Sequence, residues 1–321
     1  MAADLKHDQF EINGISMHVA QQGIGPAVVL VHGFPELWFS WRRQLPALAG
    51  AGLRAIAPDM RGYGDTTAPP QIDDYTLENI CADLVALLDH FELNDAVFVG
   101  HDWGGMVVWN MALHHPTRVR AVAGVNTPFI PHLPLNPLEM MKANPGRFDY
   151  QLYFQEPGVA EAELEADIRR TFSILFRSSK PEDRLDVNIG SAGVRERGGL
   201  FVGAPDEVSR SVMLSESELM TFVRTYEKTG FRGPLNWYRN HERNWEWGKQ
   251  TAGDKVLQPA LMITAGKDTI LTPEMSHGME EWIPNLTRGH IEACSHWTQQ
   301  EAPDELNRIL IDWLVALHDA A

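Results

Sequence analysis

Short apolar runs and helical stripes alternate along the first 130 residues, and that rhythm predicts most of the fold. Phe10-Glu11-Ile12 and Ser16 to Ala20 flank Asn13-Gly14, a pair that closes a tight β-hairpin. Ala27 to Val31 is continuously apolar, as a strand buried on both faces must be. The pattern then predicts a helix from Trp38 to Ala49 and a strand from Leu53 to Ala57. Leu77, Ile80, Leu84, Leu87, Leu88 and Phe91 form a stripe of helical period. A strand at Ala96 to Val99, a helix from about Trp103 to His114 and a strand at Val119 to Val125 follow. Strand and helix taken in turn imply parallel βαβ units, with helices on both faces of one sheet.

The rhythm stops at Thr127-Pro128, where Pro128, Pro131, Pro134 and Pro137 crowd together. Residues 131–255 carry mainly helical patterns, broken by loops at Gly198-Gly199 and Gly203-Ala204-Pro205. Leu164, Ile168 and Phe172 predict one amphipathic helix; Leu219, Phe222 and Tyr226 predict another. Strand patterns resume at Ala260 to Thr264 and Gly289 to Glu292, and a last helix ends near Leu317. The expectation is one α/β domain with a mostly parallel, doubly wound sheet. It is built from residues 1–130 and 256–321 and interrupted by a helical cap at 131–255.

Composition narrows the function by exclusion. A formal net charge of −16 disfavours a nucleic-acid or anionic-membrane surface, which needs clustered Lys and Arg. No apolar run is long enough to span a bilayer, and Met1 to Gly14 has no apolar signal core. Cys81 and Cys294 are the only cysteines and lack metal-ligand spacing. A reduced, cytoplasmic protein without metal or organic cofactor is the expectation; oligomeric state is not readable.

The chemistry concentrates in Gly100-His101-Asp102-Trp103-Gly104-Gly105, between a buried strand and a helix. Small residues on both sides of a central side chain make a nucleophile elbow, where strand and helix backbones crowd too closely for a Cβ. An Asp that merely caps the helix is the structural alternative. As a nucleophile, a carboxylate suits a saturated carbon bearing a leaving group, because the product is an ordinary ester. Epoxides and alkyl halides are such electrophiles, and no Gly-x-Ser-x-Gly is present to support a serine esterase. Hydrolysing the ester requires a base and a group to orient it. Asp268, just past one late strand, and His296, just past the next, complete the chain order nucleophile, acid, histidine. His32-Gly33-Phe34-Pro35 follows a buried strand, so the Phe34 and Trp103 amides are the expected oxyanion hole. A cis Phe34-Pro35 bond would suit the aim of that loop.

Together with Leu152 to Gly158, Gly230 to Asn240 and His296 to Gln299, these motifs make the chain resemble the hydrolase domain of soluble epoxide hydrolases, within the α/β-hydrolase fold. The resemblance runs along nearly the whole length. It implies an epoxide as small-molecule substrate and makes Tyr153 and Tyr238 the paired cap tyrosines that bind the epoxide oxygen. Phenol donors there suit the alkoxide released when the ring opens. Phe34, Trp103 and Trp297 are expected as pocket walls. Asp59 to Gly64 is read as loop support, and Trp237, Trp245 and Trp247 as cap packing. In vertebrate relatives a phosphatase domain precedes this one; here the resemblance starts almost at Met1, and a single activity is expected. The alternatives are a haloalkane or haloacid dehalogenase, disfavoured by Phe34 where those enzymes commonly place Asn, and a ligand receptor of the same fold.

Overall fold

The computed structural model describes residues 4–319 apart from Asp186, Asn188 and Ile189. Eight strands form one sheet: β1 (Lys6–Ile12), β2 (Ile15–Gln22), β3 (Ala27–Val31), β4 (Arg54–Pro58), β5 (Ala96–His101), β6 (Val119–Val125), β7 (Ala260–Ala265) and β8 (Leu286–Ile291). Their spatial order is β1-β2-β4-β3-β5-β6-β7-β8. The Asn13-Gly14 turn pairs β1 with β2, and both residues have positive φ, as a two-residue hairpin demands. β2 runs antiparallel to β4, and every pairing from β4 to β8 is parallel.

All five residues of β3 are buried, and their alternation divides the core in two. Val29 and Val31 face helices α2 (Leu77–His90) and α3 (Trp103–His114), whereas Val28 and Leu30 face α1 (Gln44–Gly50) and the C-terminal helix. The region read as one helix from Trp38 to Ala49 is a 3-10 turn at Trp38–Trp41 followed by α1.

Between β6 and β7 the described residues form only helices: α4 (Pro137–Ala143), α5 (Asp149–Tyr153), α6 (Val159–Glu165), α7 (Ile168–Leu175), α8 (Val194–Arg197), α9 (Glu216–Thr229), α10 (Arg232–Tyr238) and α11 (His241–Gly248), with short 3-10 turns. Leu164 and Phe172 do not share one helix. The Asp167 side chain accepts from the Arg170 N–H and starts α7 afresh, an N-cap that the apolar spacing conceals. Leu219, Phe222 and Tyr226 do lie on the buried face of α9. The chain closes with α12 (Thr298–Glu301) and α13 (Pro303–Asp319). Among the described residues no helix is long and apolar enough to cross a membrane.

Candidate active site

The strand-to-helix turn after β5 explains its own sequence. Asp102 has φ 52°, a region that costs a residue with a Cβ strain, so the surroundings must hold it there. A Cβ on Gly100 would collide with the Gly104 carbonyl, and one on Gly104 with that of Val31. Tight crossing of β3, β5 and α3 thus pushes the Asp102 side chain out above the sheet edge, 13% exposed. Its Oδ1 accepts the Phe34 N–H at 2.9 Å, and the Trp103 amide also hydrogen-bonds the carboxylate. The Phe34-Pro35 bond is cis. Burial raises the Asp102 pKa, against the opposing influence of His296, His101 and these two amides.

His296, in the loop after β8, places Nε2 3.7 Å from Asp102 Oδ2 and Nδ1 2.9 Å from Asp268 Oδ2. Asp268, after β7, is buried and saturated with donors. Its Oδ1 accepts the amides of Ile270 (2.8 Å) and Leu271 (3.0 Å), and its Oδ2 also accepts Asn126 Nδ2 at 2.7 Å. Burial alone would push its pKa up; the charge of His296 and these hydrogen bonds bring it down to about 2. Burial likewise disfavours the His296 cation, but Asp268 and then Asp102 outweigh it and lift the imidazole to about 9. The structure therefore brings Asp102, His296 and Asp268 together at the C-terminal ends of parallel strands, where open α/β sheets place ligands.

A cavity of about 560 Å³ opens on Asp102 and His296. Phe34 and Trp297 line it as expected. Trp103 does not: its indole sits behind the wall, edge-on to Tyr238 at 5.1 Å between ring centres and stacked against His241 at 5.6 Å. Of the two expected tyrosines, Tyr238 at the end of α10 lines the cavity and Tyr153 does not. The Tyr153 hydroxyl donates to Glu163 Oε2 at 2.9 Å within the helical segment. Its place is taken by Tyr150, one turn earlier on α5, whose ring lies 5.9 Å from that of Tyr238. The periodicity contained this correction. Phe154, a buried cavity residue, lies four positions after Tyr150 and stacks edge-on to it at 5.4 Å, so the inward face of this turn passes through 150 rather than 153. Burial raises the pKa of both Tyr150 and Tyr238, and the Asp102 charge adds to the effect, so both are protonated donors at neutral pH.

Asn126 had no role in the sequence reading. It occupies positive φ (64°) at the end of β6, which Asn tolerates better than most residues, and there it joins Asp268 to Thr298. The remaining expectations concern support. Asp59 accepts the Trp38 amide and His18 Nδ1, while Trp237 and Trp245 donate to the Arg61 and Leu133 carbonyls and Trp247 stacks on His114. Among the described residues no group of three or more His, Cys, Asp or Glu is arranged to hold a metal.

Residues 26–303 match the family described as alpha/beta hydrolase fold, and the chain belongs to it. Epoxide hydrolase A of Mycobacterium tuberculosis is 39% identical over 96% of each chain. The bifunctional epoxide hydrolase 2 of Sus scrofa is 58% identical over 94% of this chain and 53% of its own length, so the chain spans about half of that relative. The crystal structure of epoxide hydrolase A from Mycobacterium thermoresistibile superposes with a TM-score of 0.87 at 38% identity, covering 97% of this chain and 98% of the other. Matched end to end by relatives of its own length, the chain is a member of the epoxide hydrolase family.

Proposed function

We propose that this chain is an epoxide hydrolase that works through an ester on Asp102, with the helices between β6 and β7 acting as its lid. One observation carries the reading: an activated carboxylate and a pair of phenol donors, Tyr150 and Tyr238, line one cavity. Asp102 Oδ1 is occupied by amide donors, which leaves Oδ2 to attack the ring carbon. The C–O bond breaks, and a tyrosine proton passes to the leaving oxygen, which stays on the substrate as a hydroxyl. Alkylation removes the charge of Asp102. His296 then loses one of the two carboxylates that raise its pKa, so its proton is released more readily and restores the phenolate to phenol. Neutral His296, oriented by Asp268, takes a proton from water as the water oxygen adds to the ester carbonyl carbon. Phe34 and Trp103 N–H groups receive the oxyanion, the bond from the carbonyl carbon to Oδ2 breaks, and the diol departs with the former Oδ2.

The test is a single turnover of an aryl or fatty-acid epoxide in ¹⁸O-labelled water. The label is expected in Asp102 and absent from the first diol. Label appearing directly in that diol would make water the nucleophile and overturn the reading.

A further inference from the structure

Behind the site lies an ionisable pair that the steps above leave unused. Glu36 and His101 are both fully buried (0% exposed), with His101 Nδ1 2.7 Å from Glu36 Oε2. On its other side the His101 ring places Nε2 2.7 Å from the backbone carbonyl of His296. A carbonyl only accepts, so Nε2 carries a proton. The remaining question is which partner holds the proton between Nδ1 and Oε2. Glu36 meets donors elsewhere: the Gly33 N–H reaches Oε2 at 3.0 Å, and Gln299 Nε2 reaches Oε1. Gln299 Nε2 is also 3.1 Å from Nδ1, but the carboxylate is its nearer acceptor. A carboxyl group met by donors at both oxygens favours the anion, which leaves the proton on Nδ1. The same direction follows for Glu36 itself: burial pushes its pKa up, and the charge and hydrogen bond of His101 more than reverse this. The titratable groups around the pair are His32, Asp102 and His296, with Tyr63 and Tyr226 beyond.

We propose that Glu36 and His101 form a buried carboxylate–imidazolium pair that fixes the oxyanion-hole loop and the main chain of His296 in one frame. The two residues are then positioning residues for hydrolysis of the Asp102 ester, a role that rests on the ester reading above. Glu36 holds the Gly33 amide, one residue before the Phe34 N–H that faces Asp102; His101 holds the carbonyl of the base. Ring opening uses Asp102 and the phenols, so it depends less on this frame than ester hydrolysis does.

The first measurement needs no substrate. In the full chain labelled with ¹⁵N-histidine at about pH 7.5, one imidazole is expected to carry protons on both nitrogens, and His101→Asn identifies it by its loss. A neutral tautomer at His101 overturns the proposal, and this result stands even if variants fail to fold. The second uses Glu36→Gln in rapid-quench single turnovers, with the thermal melt checking the fold. Ester hydrolysis is expected to slow about tenfold or more, with ester formation changed by less than about threefold. Equal slowing of both steps, or of neither, overturns the positioning role. If the wild-type chain forms no ester, the reading beneath it fails, while the imidazole signal still reports on the pair.

Discussion

Two walls face each other across the cavity, and different forces hold them. On the sheet side, Asp102, Asp268 and His296 are charged groups in a buried setting, and hydrogen bonds fix them. Asp268 alone meets His296, Asn126 and two amides. On the helical side, Tyr150, Phe154 and Tyr238 hold one another through ring contacts of 5.0 to 5.9 Å, and Phe34 reaches across to Tyr238 at 5.3 Å and 90°. Edge-to-face rings keep their places when a hydroxyl is deleted, because area and shape survive. A buried charge that loses its partner does not, because the charge stays behind unsatisfied. Loss of one polar atom should therefore stop a chemical step on the aromatic wall with little structural cost. On the charged wall it should disturb chemistry, ionisation and stability together.

The largest expected effect tests the charged wall. His296→Gln removes the base but leaves Asp102 and both phenols, so ester formation should continue while turnover falls by about a thousandfold or more. Mass spectrometry of the peptide containing Asp102 should show one equivalent of retained substrate. A variant that loses turnover without accumulating the adduct would mean that His296 is needed before ring opening, and the division of labour between the walls would fail.

Next comes the aromatic wall, where two tyrosines on one turn make an internal control. Tyr150→Phe should slow ester formation by about a hundredfold and leave the melting temperature nearly unchanged. Tyr153→Phe should do the reverse: activity within about twofold, and stability lower by about 1 kcal/mol for the lost hydrogen bond to Glu163. If Tyr153→Phe proved the inactive variant, the lid would have to adopt another arrangement in turnover.

The same contrast explains what the sequence disclosed. Asp102, Asp268 and His296 were legible because each follows an apolar strand, and strand ends of a parallel sheet converge on one edge whatever the intervening residues do. Helices between β6 and β7 obey no such rule. Two tyrosines three residues apart both fit a helical turn, and only the inward direction of Phe154 distinguishes them. Trp103 was legible as an amide donor, since the elbow fixes its backbone, but its indole direction depends on how α10 and α11 pack upon it. Glu36 and His101 lay inside recognised motifs without a role. Their pairing arises from two segments that meet across 65 positions of chain, which local pattern cannot express.

The smallest expected effect is the sharpest on ionisation. Asn126→Gly keeps the positive φ and removes the amide at 2.7 Å from Asp268 Oδ2. Turnover should fall by about tenfold or less, because His296 and two amides still hold Asp268. The Asp268 pKa of about 2 lies below its ordinary value of 3.8, so its ionisation contributes stability above the ordinary value. That contribution, about 2 kcal/mol, declines as pH falls through the folded pKa. Part of it belongs to Asn126. The melting-temperature gap between wild type and Asn126→Gly should thus be full above about pH 5 and narrow toward pH 2. A gap that stays constant over that range would show that Asn126 supports the turn after β6 and not the charge of Asp268.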